Sequence, residues 1–332
     1  MEFLRARERL FPAIRAWEEG VGRFDTRRNP FLRRIDFALF VARKRGETSG
    51  CVAAAVDHLY PEPDVGLFGF FAAGPGEHDT AAALLRAAAA WLARRGKSYM
   101  VGPVGLHTTG EIGLEVPHFL EATSMPADGH GVSCQELLEG VGMSKLKDFL
   151  AYQWDCQQAL PERILRVSER AWRMPGLKVR VVDWRHLYRE AGMFAAIYNA
   201  ALSANWGFSP LTHGEALVLL RQYRRWPEPV LLLLAEVGSR PAGVLLALPT
   251  RSPGRPPLRL ALLAVVPEFR RRGIHALLVT VATRAAREYG HTSVELSFVA
   301  EDNGEVRRLI EALPGSQLVR RHRVYLRRLE KE

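Results

Sequence analysis

Three arginines and a glycine, Arg270, Arg271, Arg272 and Gly273, stand between an apolar run at 262–266 and an amphipathic helical pattern that opens at Ile274. That junction suits a phosphate group. The first amides of a helix have no intrahelical acceptor and carry the positive end of the helix dipole, so an anion can take several backbone hydrogen bonds at once. Ile274, Leu277, Leu278, Val281, Ala282 and Ala285 recur at the spacing of one buried helix face, and Gly290 supplies a stop. Proton-transfer candidates are sparser. His275 sits in the first helical turn and reads as an exposed or capping residue. Glu301 and Asp302 precede a second helical pattern and are as suited to capping it as to moving protons.

The elements that would position these groups alternate in the C-terminal half, as in a mixed sheet covered by helices. The pattern predicts a strand at 179–182, a helix at about 186–202, a loop with Trp206, Gly207 and Pro210, and a helix around 215–226. Three strands follow, at 230–237, 242–248 and 258–266, separated by the turn GSRP and the Pro/Gly/Arg loop TRSPGRPP. After the arginine loop and its helix come a strand at 293–299, a helix from about 305 to 313, and a last strand at 323–326. In this last strand Tyr325 reads as structural.

The N-terminal half repeats this order in shorter form. Strand patterns at 37–41, 52–56 and 66–71 lead to an alanine-rich helix at 80–93 closed by Gly96. A strand near Tyr99, a Gly/Pro/Thr/His-rich segment at 102–131, a helix around 135–138 and a strand near 149–154 complete it. The halves meet near 157–162, which gives an N-terminal domain at 1–157 and a C-terminal domain at 158–332. The two strand-to-helix junctions differ in charge. The N-terminal one, AAGPGEHDT, carries Glu77 and Asp79, which suit a helix start but repel phosphate, so the anion site is assigned to the C-terminal half alone.

Composition bounds the function classes. A chain of 332 residues with 48% apolar residues can fill two cores. No apolar run approaches the roughly 18 to 20 residues needed to span a bilayer. The N-terminal MEFLRARERLFPAIRAW interleaves charge with Phe3, Leu10, Phe11, Ile14 and Trp17 and reads as an amphipathic helix docked on its own domain, not a secretion signal. Cys51, Cys134 and Cys156 are widely spaced and fit neither a disulfide framework nor a metal site, which favours a reducing, cytoplasmic setting. A formal charge of +10 favours anionic partners: a phosphate-bearing cofactor, an acidic substrate or nucleic acid.

The pattern VxPxxRxxGI, here Val265, Pro267, Arg270, Gly273 and Ile274, resembles the acyl-coenzyme A signature of the GNAT N-acetyltransferase superfamily, and the order of elements matches that fold. The resemblance implies that backbone amides at 271–276, from Arg271 to His275 and Ala276, hold the pyrophosphate of acetyl-CoA or another acyl-CoA. Leu263, Ala264 and Val265 would pair with the pantetheine arm. Asn303, in the EDN at 301–303, would lie beside the cofactor. The N-terminal half is similar to the degenerate first copy of tandem GNAT proteins. GFF at 69–71, RGKSYMVGPVG at 95–105, NWGF at 205–208 and RVY at 323–325 together resemble a poorly characterised bacterial family of such proteins. The implied fold is mixed α/β, two tandem domains each with a largely antiparallel sheet flanked by helices.

The chain departs from the superfamily where protons move. The position of the usual glutamate base is Phe298 and that of the usual tyrosine acid is Ile310. His275 replaces a small residue, so its side chain must point away for backbone to approach phosphate. Alternation along the strand puts Glu295 on the opposite face from Leu296 and Phe298, a poor stand-in for the missing base. Tyr198, Asn199, Asn205 and Trp206 lie on the helix and loop that would flank the acceptor cleft in this fold, although Tyr198 and Trp206 are equally suited to be core aromatics; Tyr198, Asn205 and Glu301 are the weak catalytic candidates. The leading expectation is transfer of an acyl group, most simply acetyl, to an amine on a small molecule or peptide. The alternatives are a non-catalytic acyl-CoA sensor, favoured by the missing base and acid, and a Fem-like transferase using aminoacyl-tRNA, which would not need the arginine loop.

Overall fold

The computed structural model describes residues 3, 24–27, 29–74, 76–108, 110, 112–116, 131–226, 228–249 and 257–330. The expected N-terminal amphipathic helix, nearly all of the loop TRSPGRPP and part of the Gly/Pro/Thr/His-rich segment lie outside them. The chain divides into two compact units, one of Met1–Phe149, Gly207–Ser209 and Arg320–Glu332, the other of Leu150–Trp206 and Pro210–Val319.

The first unit opens with the antiparallel strands β1 (Ile35–Lys44), β2 (Glu47–Asp57) and β3 (Val65–Ala73). A crossover helix, α1 (His78–Ala93), then returns the chain to β4 (Tyr99–Gly102), which runs parallel to β3. Ala81, Leu84, Leu85, Ala88 and Leu92 of α1 repeat at helical spacing, and that stripe packs on Val52, Phe68 and Met100 of the sheet. The short β5 (Leu114–Val116), α2 (Gly131–Gly140) and β6 (Ser144–Asp155) follow. The last residues of β6 already belong to the second unit.

The second unit continues with α3 (Glu162–Trp172), β7 (Leu177–Val181), α4 (Leu187–Leu202) and α5 (His213–Arg224). Next come β8 (Leu231–Val237), β9 (Arg240–Pro249), β10 (Leu258–Val265), α6 (Ile274–Glu288), β11 (Ser293–Ala300) and α7 (Gly304–Glu311). The strand order is β11-β10-β9-β8-β7, antiparallel except for the β10–β11 pair that α6 joins. On one sheet face Leu233, Leu245, Leu258 and Leu296 form a core with Ile274 and Leu278 of α6. On the other, Arg180 of β7 reaches Glu190 and Met193 of α4.

The chain ends in β12 (Gln317–Arg328), whose residues from Arg320 onward belong to the first unit and pair with β4 and β5. The sequence predicts only 323–326 here because Arg320, Arg321, His322 and Arg323 hide the strand pattern. Two of these charges meet one buried acid: Arg323 forms a two-pronged bond to Asp148, whose side chain is 1% exposed and which Arg321 and Lys145 approach at 3.6 and 3.1 Å. Tyr325 is fully buried, the structural role expected of it. Helix α3 was not predicted. Its apolar stripe, Ile164, Val167 and Ala171, is narrow and set among charged residues, and it becomes a core element only by packing on α6.

Candidate functional site

The site begins with a divergence of strands. β10 and β11 pair through Leu258↔Val294, Arg259↔Glu295 and Leu260↔Leu296, and the ladder ends there. On its other edge β10 skips a residue against β9, from Leu260↔Ala247 to Leu262↔Leu246, and then stays paired to Val265↔Gly243. A bulge of this kind bends the strand that carries it. The stretch 262–265 therefore keeps β9 and leaves β11, which gives a backbone edge along which an extended ligand can pair.

The chain then turns into the helix start. A short turn of 3-10 helix, Pro267–Phe269, buries Phe269, and Arg271 and Gly273 follow with φ of 60° and 83°. Gly273 is required twice: its φ is left-handed, and a Cβ would stand 2.9 Å from both Cγ1 and the backbone oxygen of Val167 on α3. Helix α6 opens at Ile274 with no side-chain cap. By contrast α5 is closed by a capping box of Thr212 and Glu215, and α7 by the side chain of Asn303. An uncapped start beside exposed Arg271 and Arg272 fits the phosphate of a coenzyme.

The remaining predicted residues fall into place individually. Arg270 is not aimed at an anion: its Nε donates to Val265 O and its Nη2 to Ala201 O, tying the loop to β10 and to α4. The Arg272 guanidinium lies 5.6 Å from the Phe269 ring. His275 is exposed at the first turn of α6, as the sequence suggests, and desolvation holds its imidazole below the usual range. Ile274 and Ala276 are buried, as are Phe269 and Ala264, while Leu263 and Val265 are half-buried against the α6 core. Asn303 Oδ1 accepts from Val306 N, so the cap expected of Glu301 or Asp302 is Asn303 instead. Glu301 uses its carbonyl to accept from Arg307. Tyr198 stacks on Phe194 within α4, Asn199 clamps both backbone groups of Leu211, and Asn205 is exposed in the turn after α4. Where a base would stand, Phe298 packs its ring 4.4 Å from the Arg259 guanidinium, and Ile310 is buried in the core.

One polar group escaped the sequence reading. Ser297, the first β11 residue past the ladder, donates through Oγ to Glu295 at 2.7 Å and accepts from Arg259 Nε at 2.9 Å. Both Ser297 and Glu295 are buried. The signal was the E-x-S spacing of Glu295 and Ser297, which on a strand puts 295 and 297 on one face.

The first unit repeats the plan and closes it. Its β3–β4 ladder ends at Leu67↔Val101 and the β2–β3 register shifts beside it. There Val104 N donates to Phe68 O at 2.8 Å, and Gly69 is so tightly packed that a Cβ would fall 1.6 Å from Val104 O. The chain thus fills its own slot. Glu77, at the helix start that follows, accepts from Lys44 and Thr80.

Residues 191–313 match the acetyltransferase (GNAT) family. A tandem GNAT protein from the clavulanic acid biosynthesis pathway superposes with a TM-score of 0.55 at 13% identity, over 90% of this chain and 85% of that one. A conserved protein from Enterococcus faecalis, described as a probable N-acyltransferase, superposes at 0.58 and 13% identity over 99% of this chain and 70% of that one. The fold is therefore that of tandem GNAT proteins. The part of the chain that matches the acetyltransferase (GNAT) family, residues 191–313, lies almost wholly in the second unit. In sequence it is 29% identical to "Bacterial ceramide synthase" of Caulobacter vibrioides, over 90% of this chain and 85% of that protein.

Proposed function

We propose that the second unit transfers an acyl group from a coenzyme A thioester to an amine, and that the first unit holds no second donor. The reading is carried by one contrast: β10 leaves β11 at Leu260 and runs toward an uncapped helix start, while the matching slot of the first unit is filled by Val104. In this reading the edge at Leu263, Ala264 and Val265 takes the pantetheine arm, and the amides of 271–276 take the pyrophosphate. Arg271 and Arg272 offset its charge, and Arg270 keeps the loop rigid. The amide of Val265 or its neighbour would donate to the oxyanion that forms when the amine attacks. Alignment of amine and thioester within near-attack distance supplies the rest of the rate.

Acetyl is the simplest donor. A longer acyl chain with a lipid amine as acceptor is the second reading, favoured by the identity that runs the length of the chain to the Caulobacter protein. Ceramide is itself an N-acyl amide, so both readings form the same bond. The test incubates purified protein with acetyl-CoA or palmitoyl-CoA and a panel of small amines, peptides and a sphingoid base, and follows free thiol. Thiol release that needs both substrates is expected. Acyl-CoA binding without thiol release from any pair would contradict the reading and favour a sensor.

A further inference from the structure

We propose that Ser297 and Glu295 form the proton relay that the acceptor amine uses, an inference that rests on the acyltransferase reading above. The face of the sheet decides it. Leu258 and Leu260 on β10, and Val294 and Leu296 on β11, pack toward α6, so Arg259, Glu295 and Ser297 between them point the other way. That other face is the one α4 covers: α4 packs on β9 and β10, and its Glu190 is held by Arg180, opposite Leu234 on the non-α6 side of β8. Helix α5 joins it there by packing on α4, and it carries Tyr223, whose phenol pKa is pushed up to about 12 by burial. The same α4 and its following loop carry Tyr198 and Asn205, the residues expected to flank the acceptor. Alternation along the strand would set Glu295 opposite Phe298, but the pattern breaks after Ser297: the Phe298 ring lies against Arg259, the residue that also bonds Ser297. In this proposal the face that Glu295 occupies is the acceptor's.

Position along the strand completes the argument. Ser297 is the first residue of β11 after the ladder to β10 ends, so its hydroxyl stands at the apex of the divergence where the thioester would lie. It already donates to Glu295 Oε1 and accepts from Arg259 Nε, and the second lone pair of a serine oxygen can accept from a third group. Among the described residues Arg259 from β10 stands 3.8 Å from the carboxylate, α5 carries Tyr223 on the same side of the sheet, and β6 presents Gln153, which donates to Ser293. The arriving ammonium passes one proton through Ser297 Oγ to the Glu295 carboxylate. The free amine nitrogen then attacks the thioester carbon, the C–N bond forms, the C–S bond breaks, and the sulfur leaves as thiolate. The second nitrogen proton goes to the thiolate, and Glu295 returns its proton to solvent. Ser297 touches the substrate; Arg259 positions the pair.

The test is the pH dependence of kcat/KM for two acceptor amines of different pKa, on wild type, Glu295→Gln, Ser297→Ala and the double variant, with acetyl-CoA affinity measured by calorimetry on each. Wild type is expected to show an acid limb that does not move with the acceptor's pKa. In each single variant kcat falls about 100-fold, the acid limb moves to follow the acceptor's pKa, and acetyl-CoA affinity stays within twofold. The double variant is expected to be no slower than the worse single one, because the two act as a unit. An active wild type whose variants bind acetyl-CoA normally yet keep rate and profile would overturn the relay alone. Should Glu295→Gln fail to bind acetyl-CoA, Ser297→Ala decides by the same criteria. A wild type that binds acyl-CoA and releases no thiol with any amine would overturn the transferase reading and the relay with it.

Discussion

Gly273 is the residue on which most of the candidate donor site turns. With φ at 83° and Val167 packed where a Cβ would sit, Gly273→Ala must either strain the loop or push α3 away from α6. Strain of this kind costs of order 1–3 kcal/mol. The variant is expected to melt at a lower temperature and to bind acetyl-CoA at least tenfold more weakly, read by calorimetry on the folded protein; wild-type melting and affinity together would contradict this. The glycine and its arginines were legible in the sequence because a phosphate-binding turn is local: strand, charges, glycine and helix follow one another within a dozen residues. The task of Arg270 was not. Its acceptor Ala201 O is 69 residues away in sequence, so nothing near Arg270 distinguishes a tethering arginine from a phosphate-facing one. Alternation along β11 holds for Glu295 against Leu296 but breaks before Phe298, whose ring lies on Arg259 beside Glu295, and no local pattern reveals that break.

At the scale of elements, the helices and strands around the site were legible from periodicity, and their ends from capping chemistry in some cases. Helix α7 shows the limit. Three polar residues, Glu301, Asp302 and Asn303, compete for its cap, and only the turn geometry selects Asn303, whose Oδ1 takes the Val306 amide at 3.2 Å. Loss of such a cap costs about 1 kcal/mol. Asn303→Ala is therefore expected to lower stability in a denaturant titration by about that amount while leaving acetyl-CoA affinity within twofold; a large loss of affinity with unchanged stability would return Asn303 to the cofactor. Helix α3 and most of β12 escaped notice because their sequences are dominated by arginine. Burial there depends on partners such as Asp148, which no local pattern reveals.

On the scale of the whole chain, the doubled plan was visible in the repeated order of elements, but the exchange of the C-terminal strand was not. β12 reaches back to pair Tyr325 with Gly102, a register set by long-range packing with no local signature. The duplication also explains why the charge of +10 does not imply two anion sites. In the first unit the strand divergence is filled by Val104 and the helix start is acidic; in the second the divergence runs to three arginines and an uncapped helix. One donor per chain is what the proposed function expects. The most direct measurement is a calorimetric titration of acetyl-CoA into wild type and into an Arg271→Glu, Arg272→Glu double variant, both side chains being exposed. One site per chain in wild type, weakened at least tenfold in the variant with unchanged melting, is the predicted result. No binding, two sites, or equal binding by the variant would contradict it.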